Sequence, residues 1–498
     1  IGLLGEELSL GIKTAGDIPT VTIISKIKDK KSLENNLALI LKTGEKEGTI
    51  QKENYQNIEI VFVKSSVPEQ PNIGFAFLSD NKLSLVIGGS IQDNKDIIDR
   101  GVGAKESFAD NQEFKKLFKK SITGDGIFFI NLSGINRLSS PEALNPFFAG
   151  GTDMVKAIGG VVSFAEGIEL SLRIVPNKEK MSDDVLKLWM LRPNKANTLG
   201  YVPENTLFYT GTTAIDFKAF FESWKKNLAG QNNEAAKTFL TGLENLKNQN
   251  VDIENGIIPN LGKEFALVCS GLSADGIFPE IELSFMISTK NKDVIKTQLE
   301  GIIKSIEGSF GGGAAEEEAG NLFKIETATQ QYSGVDIIEL KLPLVGAGFS
   351  PCYAFIDDFT VISTSVKGVK KLIDVSEGKV KSIKEDANYK TIANIITDKS
   401  NQLGYVNVQE VLSAAVSICE WIISFQRLSM PKGDTPEEKA RREEIEQTEA
   451  ILKENVIPLL KVLKVVKVLG SNTRYLDDSS INQIFKLYIK DQDNTVAA

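Results

Sequence analysis

Carboxylate side chains are the groups in this sequence best suited to acid–base chemistry or metal binding, because its 498 residues include no histidine. That composition excludes Ser-His-Asp and Cys-His catalysis, His-ligated zinc or haem, and an imidazole pH switch. Catalysis would have to rest on carboxylates, Lys, Tyr or Cys. Two carboxylate candidates stand out: the adjacent pair Asp357-Asp358, and the pair Glu7 and Glu264 in strand-like segments.

One pattern occurs twice in the sequence, so each candidate can be compared with its twin. Phe75-Ala76-Phe77-Leu78-Ser79-Asp80 returns as Tyr353-Ala354-Phe355-Ile356-Asp357-Asp358. The other matched pairs, in the same order along the chain, are Gly5 and Gly262, Glu7 and Glu264, Pro19 and Pro279, Tyr55 and Tyr332, Asp99 and Asp374, Ser107 and Ser382, and Asn131 and Asn407. A repeat of this length indicates two copies of one domain rather than a short-period solenoid.

The twins favour structural roles for the polar candidates. Asp357-Asp358 matches Ser79-Asp80 at a predicted hairpin turn, where Asp is favoured because it bonds its own backbone. Asn131 and Asn407 each end a strand before a helix, and Glu410 follows three residues after Asn407, which predicts a helix cap with a reciprocal box. Glu7 and Glu264 are the repeated carboxylates of interest, and we expect an ion pair with a neighbouring strand.

The cysteines and the glycine-rich segment give no cofactor or metal signal. Cys269, Cys352 and Cys419 form no C-x-x-C motif, and the surroundings of Cys269 and Cys419 predict buried small hydrophobes. Whether Cys269 and Cys352 form a disulfide stays open. The acidic Gly-rich segment 308–320 lacks the Gly-Lys-Ser/Thr of a phosphate-binding loop, so we expect a flexible surface loop. We therefore predict no catalytic residue, no cofactor and no bound metal.

The hydrophobic pattern predicts an α+β fold. Val21, Ile23 and Ile27 alternate with polar residues as in a half-buried strand, and a helix is expected from Lys31 to Thr43. The second copy repeats the order through Ile281, Leu283 and Phe285, and it opens with a helix from Asp216 to Leu228. We predict two tandem copies of one module, each a mainly antiparallel β-sheet with helices packed on one face.

The repeat also sets the predicted domains. The first copy is expected over residues 1–192, incomplete at its N-terminal end, and the second over 193–498. The second copy carries two insertions, the acidic Gly-rich loop 308–320 and a charged helix over 431–469. We expect this helix to pack on its own module; the alternative is that its apolar stripe holds a partner helix. Because the second copy has a segment at about 199–257 without a counterpart in the first, we expect a longer precursor with an upstream signal or anchor.

Composition excludes several classes of partner. The net charge of −9 argues against nucleic acid and against docking on an anionic membrane surface. The longest apolar stretch, Ala414 to Phe425, is interrupted by Glu420, so no transmembrane segment is expected in this chain.

Three short motifs of the sequence support a resemblance to a known protein family. They are Gly200-Tyr201-Val202-Pro203-Glu204-Asn205-Thr206-Leu207-Phe208, Ile258-Pro259-Asn260-Leu261-Gly262-Lys263-Glu264-Phe265 and the Tyr-Ala-Phe-x-Asp-Asp hairpin. With these motifs the chain resembles an uncharacterised bacterial family, a domain of unknown function, whose members are exported or membrane-anchored. The resemblance implies an extracytoplasmic location, in the periplasm or at the cell surface. It implies no site residues.

Three functional hypotheses follow. The first is a non-catalytic binding or scaffold protein of the cell envelope, a subunit of a larger assembly with a protein partner or with copies of itself. The second is a carrier of a lipid or another apolar ligand between sheet and helices. The third is a carboxylate-based hydrolase, which needs two carboxylates facing one cleft.

Overall fold

The fold is described from a computed structural model of the chain. The residues that the structure describes are 4–13, 19–44, 48–67, 70–118, 124–132, 154–164, 167–183, 186–187, 190–230, 234–274, 278–311, 326–341, 349–396 and 399–489. The chain is a mixed α and β protein with antiparallel sheets. It divides into two compact units: unit 1 comprises residues 1–121 and 129–157, and unit 2 comprises residues 122–128 and 158–498.

Unit 1 is built on a six-stranded sheet. Its strands are β1 (Leu4–Lys13), β2 (Thr20–Ile27), β3 (Gly48–Tyr55), β4 (Ile58–Ser65), β5 (Ile73–Ser79) and β6 (Lys82–Ile87). They lie in the order β1-β2-β6-β5-β4-β3, so β1 and β3 are the two edges. The helices of this unit are α1 (Lys30–Gly44), α2 (Ile91–Gly101) and α3 (Gln112–Leu117).

Helices cover both faces of the unit 1 sheet. Val61 of β4 packs in a cluster with Leu37 of α1, whereas its neighbour Ile60 packs with Ile98 of α2. Successive residues of a strand point to opposite faces, so α1 and α2 lie on opposite sides. The prediction of helices on one face is therefore wrong for this unit. The reason is that β4 carries apolar side chains on both faces of the sheet, and a helix on each face is needed to bury them.

Most of the second sheet, which has 13 strands, lies in unit 2. Its strands are β7 (Gly126–Asn131), β8 (Val155–Ser163), β9 (Ile168–Pro176), β11 (Phe208–Thr212), β12 (Leu261–Ser273), β13 (Glu280–Thr289), β14 (Glu326–Tyr332), β15 (Val335–Lys341), β16 (Cys352–Ile356), β17 (Phe359–Ser363), β19 (Gln402–Asn407), β20 (Val466–Tyr475) and β21 (Ile481–Ile489). The order is β14-β15-β16-β17-β13-β12-β11-β19-β20-β21-β9-β8-β7. The short strands β10 (Asn194–Lys195) and β18 (Lys399–Ser400) pair separately.

The helices of unit 2 lie against this sheet and extend from it. They are α4 (Phe217–Gly230), α5 (Glu234–Asn248), α6 (Lys292–Gly311), α7 (Val366–Ser376), α8 (Ala387–Ile392), α9 (Val408–Leu428), α10 (Pro436–Ile451) and α11 (Ile457–Leu463). The main core of the unit combines strand residues such as Met286 and Val361 with Leu372 of α7 and Ile392 of α8. This core places the polar residues of β12 and β13 under helices and loops.

The strands β12 to β17 have the same order in space as β1 to β6. The order β1-β2-β6-β5-β4-β3 of unit 1 corresponds, strand for strand, to β12-β13-β17-β16-β15-β14. Two hairpins also share a turn conformation, because Gln56 and Asn57 in one, and Ser333 and Gly334 in the other, all have positive φ. Two positive φ values define the turn that matches the twist of a two-residue hairpin.

The same tyrosine–aspartate contact ties each of these hairpins to a helix. The Tyr55 hydroxyl donates to Asp99 Oδ1 at 2.9 Å, and the Tyr332 hydroxyl donates to Asp374 Oδ1 at 2.8 Å. Asp99 lies on α2 and Asp374 on α7, and both helices have 11 residues. Four of the residues matched in the sequence thus make two equivalent contacts.

The predicted insertions differ in part from the structure. The charged helix predicted over 431–469 is shorter in the structure: α10 and α11 extend from Pro436 to Leu463 with one wider helical turn at Leu452–Val456, and strand β20 begins at Val466. The predicted loop 308–320 begins inside α6, which continues to Gly311, because extending an existing helix costs less than starting one. Residues 312–320 of that segment lie outside the described residues.

The two compact units are defined by contacts within the fold, whereas the predicted domain boundary between residues 192 and 193 is defined by the repeat in the sequence. Strand β9 pairs with β21 from Ile168↔Leu487 to Ile174↔Ile481, which places it in unit 2. The division into copies at 1–192 and 193–498 stays a prediction.

Candidate functional site

Glu264 is a buried carboxylate on β12 held by a loop that precedes β11. Its side chain is 6% exposed. Thr198 donates to Glu264 Oε1 twice, through its backbone N–H and through its hydroxyl, both at 2.7 Å. Asn197 Nδ2 donates to Oε2 at 3.1 Å. Both carboxylate oxygens are therefore engaged, and the contacts fix the 197–198 loop against the sheet.

The hydrogen bonds around Glu264 continue to Tyr209 of β11. The oxygens of Thr198 and Tyr209 are 2.9 Å apart. Because the single hydroxyl proton of Thr198 is given to Glu264, Tyr209 must be the donor to Thr198. Burial raises the pKa of Tyr209, so the phenol keeps the proton that this chain of contacts requires. The arrangement is a one-way chain of donors that ends on the carboxylate.

Glu7, the twin of Glu264, lies in a different environment. Its side chain is half-exposed and forms an ion pair with Lys26 of β2, with 2.7 Å between Nζ and Oε2. The ion pair with a neighbouring strand, expected at both positions, is found at Glu7. At Glu264 that expectation is wrong, because neutral donors of the 197–198 loop occupy the carboxylate oxygens instead.

A second buried carboxylate, Glu282 of β13, lies under helix α7. It is 2% exposed. Lys371 Nζ lies 2.6 Å from Oε2, and Lys367 Nζ lies 3.3 Å from Oε1. Ser270 donates to Oε2 at 2.9 Å. Gly271 permits this packing, because a Cβ there would lie 2.8 Å from Glu282 Oε2.

The groups around Glu282 keep this carboxylate ionised and the nearby Cys269 thiol neutral. Burial works against ionisation of Glu282, but the hydrogen bond and charge of Lys371, together with Ser270 and Lys367, outweigh it and lower the pKa of Glu282. Burial raises the pKa of the nearby Cys269 thiol. A neutral thiol is a weak nucleophile, and an ionised carboxylate cannot act as a general acid. The cluster is built as a buried ion pair.

Glu282 is not among the residues that the sequence pattern indicates as candidates. The apolar residues that alternate along this strand include Ile281 and Phe285, yet their side chains are 47% and 43% exposed. Glu282 and Ser284, on the opposite face of the strand, are buried. One signal was available. Lys367 and Lys371 are spaced i, i+4, so on a helix such as α7 they share one face and can meet a single carboxylate.

The remaining candidates have structural roles. Asp357 has a φ of 43° in the turn between β16 and β17, which confirms the predicted turn, and it accepts a hydrogen bond from Tyr201 at 2.9 Å. Asn407 caps α9 by accepting from the Glu410 N–H at 3.2 Å, which confirms the predicted cap. The predicted reciprocal box is wrong, because the Asn407 N–H donates to the Leu207 carbonyl at 2.8 Å instead. The helix expected after Asn131 falls at residues 133–153, outside the described residues.

The three cysteines are free thiols in buried positions. The predicted burial of Cys269 and Cys419 is confirmed. Within the described ranges between residues 4 and 489, no group of three or more Cys, Asp or Glu side chains could hold a metal ion.

One of the described helices, Val408–Leu428, is long and apolar enough to cross a membrane by length and composition. A core helix that is mostly buried passes the same test, but only 17% of the apolar window of this helix is buried. That no transmembrane segment lies in this chain therefore stays a prediction. In this fold Val416, Cys419 and Ile423 of the helix pack against Ile457 of α11.

Comparison with known proteins identifies a family and no individual relative. No curated protein and no solved structure matches the chain. One family model, described as "Protein of unknown function (DUF3352)", matches residues 6–307, which is more than half of the chain. The predicted resemblance to a domain-of-unknown-function family is thereby confirmed. The chain belongs to the DUF3352 family.

Proposed function

We propose that this chain is a non-catalytic binding or scaffold protein of the cell envelope, and that it serves as a subunit of a larger assembly. The state of the buried carboxylates supports a non-catalytic role. Glu264 is engaged by Thr198 and Asn197, and Glu282 by two lysines and a serine. A catalytic acid or base needs an oxygen directed at a substrate, and these oxygens are directed at their own fold.

The framework that presents the binding surfaces is, in this proposal, two tandem copies of one α+β module. The shared strand order supports it, as do the two hairpins with matching positive φ values. The paired Tyr55–Asp99 and Tyr332–Asp374 hydrogen bonds support it independently, because they join residues far apart in sequence at equivalent places.

The observation that carries the binding role is that helix α11 is apolar on two faces. Ile457 and Leu460 pack into the cluster with Val416 of α9. Leu459, Val462 and Leu463 are 58%, 66% and 44% exposed, and their i, i+3, i+4 spacing places them on one face, called here the 459–463 stripe. A helix that is apolar all round is normally buried, so a further surface is expected to cover this stripe.

The chemistry of the stripe favours a protein as the partner. Its three aliphatic side chains suit a complementary apolar helix or sheet face. The net charge of −9 disfavours nucleic acid and an anionic membrane surface, which both repel acidic proteins.

Sedimentation velocity of the protein purified from its source organism tests this proposal. The wild type is expected to sediment as a complex larger than one chain, and Val462→Lys is expected to sediment as a single chain. Val102→Lys is the matched control, because Val102 is also an exposed valine, at 60%, but lies in unit 1. The proposal is wrong if the wild type sediments as a single chain or if Val462→Lys keeps the complex.

The extracytoplasmic location is part of the same proposal and is supported by the family resemblance of the sequence motifs. Fractionation of the source cells tests it. The protein is expected in the periplasmic or surface fraction, and recovery with the cytoplasmic proteins contradicts it.

A further inference from the structure

Strand β1 of unit 1 is an edge strand that exposes a row of apolar side chains. Leu8, Leu10 and Ile12 alternate along it and are 63%, 62% and 64% exposed. A long edge strand with exposed apolar residues is normally avoided, because it invites pairing with another strand. The opposite edge, β3, follows that rule and exposes Gln51 and Lys52.

The corresponding residues of β12 in unit 2 are covered. Phe265, Leu267 and Cys269 follow Glu264 by the same steps by which Leu8, Leu10 and Ile12 follow Glu7. There the edge is paired with β11, with Phe208↔Cys269 at one end and Thr212↔Phe265 at the other. Helix α4 follows β11, and its Phe217 ring lies 6.4 Å from the Phe265 ring. Phe265 and Leu267 are half-buried, and Cys269 is 4% exposed.

Glu7 provides an independent observation at the same edge. Glu264 is held by Asn197 and Thr198, which lie in the loop ahead of β11 and α4. At Glu7 the described residues offer Lys26, and the carboxylate stays half-exposed. Unit 1 thus presents three features at β1: a strand edge, a row of apolar side chains and the Glu7 carboxylate. In unit 2 the 197–230 segment contacts the counterpart of each of these features.

We propose that the β1 edge of unit 1 is a docking site for one kind of polypeptide segment, with the chemistry of residues 197–230. Such a segment carries an Asn-Thr pair for Glu7, a strand for the β1 edge that no described strand pairs with, and an amphipathic helix that packs over the apolar row at Leu8, as Phe217 packs on Phe265. The inference rests on the proposed two-copy framework, because unit 2 defines what the segment must contain.

A labelled peptide of residues 195–230, titrated with the full chain and followed by fluorescence anisotropy, tests the site. Saturable binding is expected. Leu10→Lys and Glu7→Ala in the chain are each expected to weaken binding about tenfold, since each removes one contact. Val102→Lys is the control and should bind as the wild type. The peptide variant Thr198→Val should lose about tenfold against the wild-type chain but little against Glu7→Ala.

Hydrogen exchange on a fused chain completes the test when the free peptide binds weakly. Residues 195–230 are joined ahead of residue 1 by a flexible linker, which supplies a high effective concentration. The amides of residues 8–13 are expected to gain protection relative to the unfused chain. Unprotected amides in the fused chain, or peptide binding that Leu10→Lys and Glu7→Ala leave unchanged, overturn the inference. Because the Val462 experiment does not involve β1, a failure here and a failure of the assembly proposal are separate results.

Discussion

At the scale of single residues, the twin glutamates show how one residue type acquires two roles from its surroundings. Glu264 is buried and accepts three hydrogen bonds, whereas Glu7 forms a half-exposed ion pair. A buried acceptor that leaves its donors unsatisfied when removed is costly, while an exposed ion pair contributes little to stability. The repeat in the sequence identified both residues, but it could not reveal that their surroundings differ.

We predict that Glu264→Ala lowers the free energy of unfolding by about 3 kcal/mol, because Thr198 and Asn197 lose their acceptor in a buried site. Glu7→Ala, the matched control, is expected to have no measurable effect. Urea unfolding followed by circular dichroism measures both. Equal effects of the two substitutions would contradict the assigned roles.

Glu282 predicts a dependence of stability on pH. The pKa of Glu282 is lowered in the folded state, so its contribution is present above the pKa of the unfolded state and is lost as the pH falls through the folded pKa. Between about pH 5 and pH 3, wild type should therefore lose more stability than Glu282→Gln. Parallel pH profiles from urea midpoints would argue against an ionised Glu282. Lys371→Met, which removes the nearer lysine, should flatten the profile as Glu282→Gln does.

At the scale of elements, the sequence predicted periodic segments well. The helix expected from Lys31 to Thr43 is α1 at Lys30–Gly44, and the one expected from Asp216 to Leu228 is α4 at Phe217–Gly230. The alternation of apolar and polar residues predicted the strands, but not which face of each strand is more buried. In β13 one face lies under helix α7, so the polar residues Glu282 and Ser284 are buried there, whereas Ile281 and Phe285 on the other face are largely exposed. Such burial depends on the helix packed above, which a single strand sequence does not specify.

The two tyrosine–aspartate contacts give an element-scale prediction. Tyr55→Phe and Tyr332→Phe each remove one hydroxyl that joins a hairpin to a helix. We expect each substitution to speed hydrogen exchange in its own hairpin, β3–β4 or β14–β15, to a similar degree, because the contacts are equivalent. Exchange that changes at one hairpin only would weaken the proposal of two copies of one module.

At the scale of the whole molecule, the central claim is that the chain holds a protein partner rather than processing or carrying a small molecule. The claim joins two features: buried carboxylates engaged by their own fold, and the exposed 459–463 stripe on a helix that is already packed on its other face. The sequence pattern predicted the mixed α and β content with antiparallel sheets. The stripe required the structure, because the apolar residues of α11 do not by themselves show which of them pack against α9 and which are exposed.

Native mass spectrometry of the protein purified from its source, stepped from gentle to denaturing conditions, tests this claim most directly. The account predicts a mass above that of one chain, either a multiple of the subunit mass or the sum with a second polypeptide, which falls to the mass of the single subunit on denaturation. Loss of a small apolar molecule instead would make the protein a carrier. A bare monomer under gentle conditions would contradict the account and return attention to a carboxylate-based enzyme.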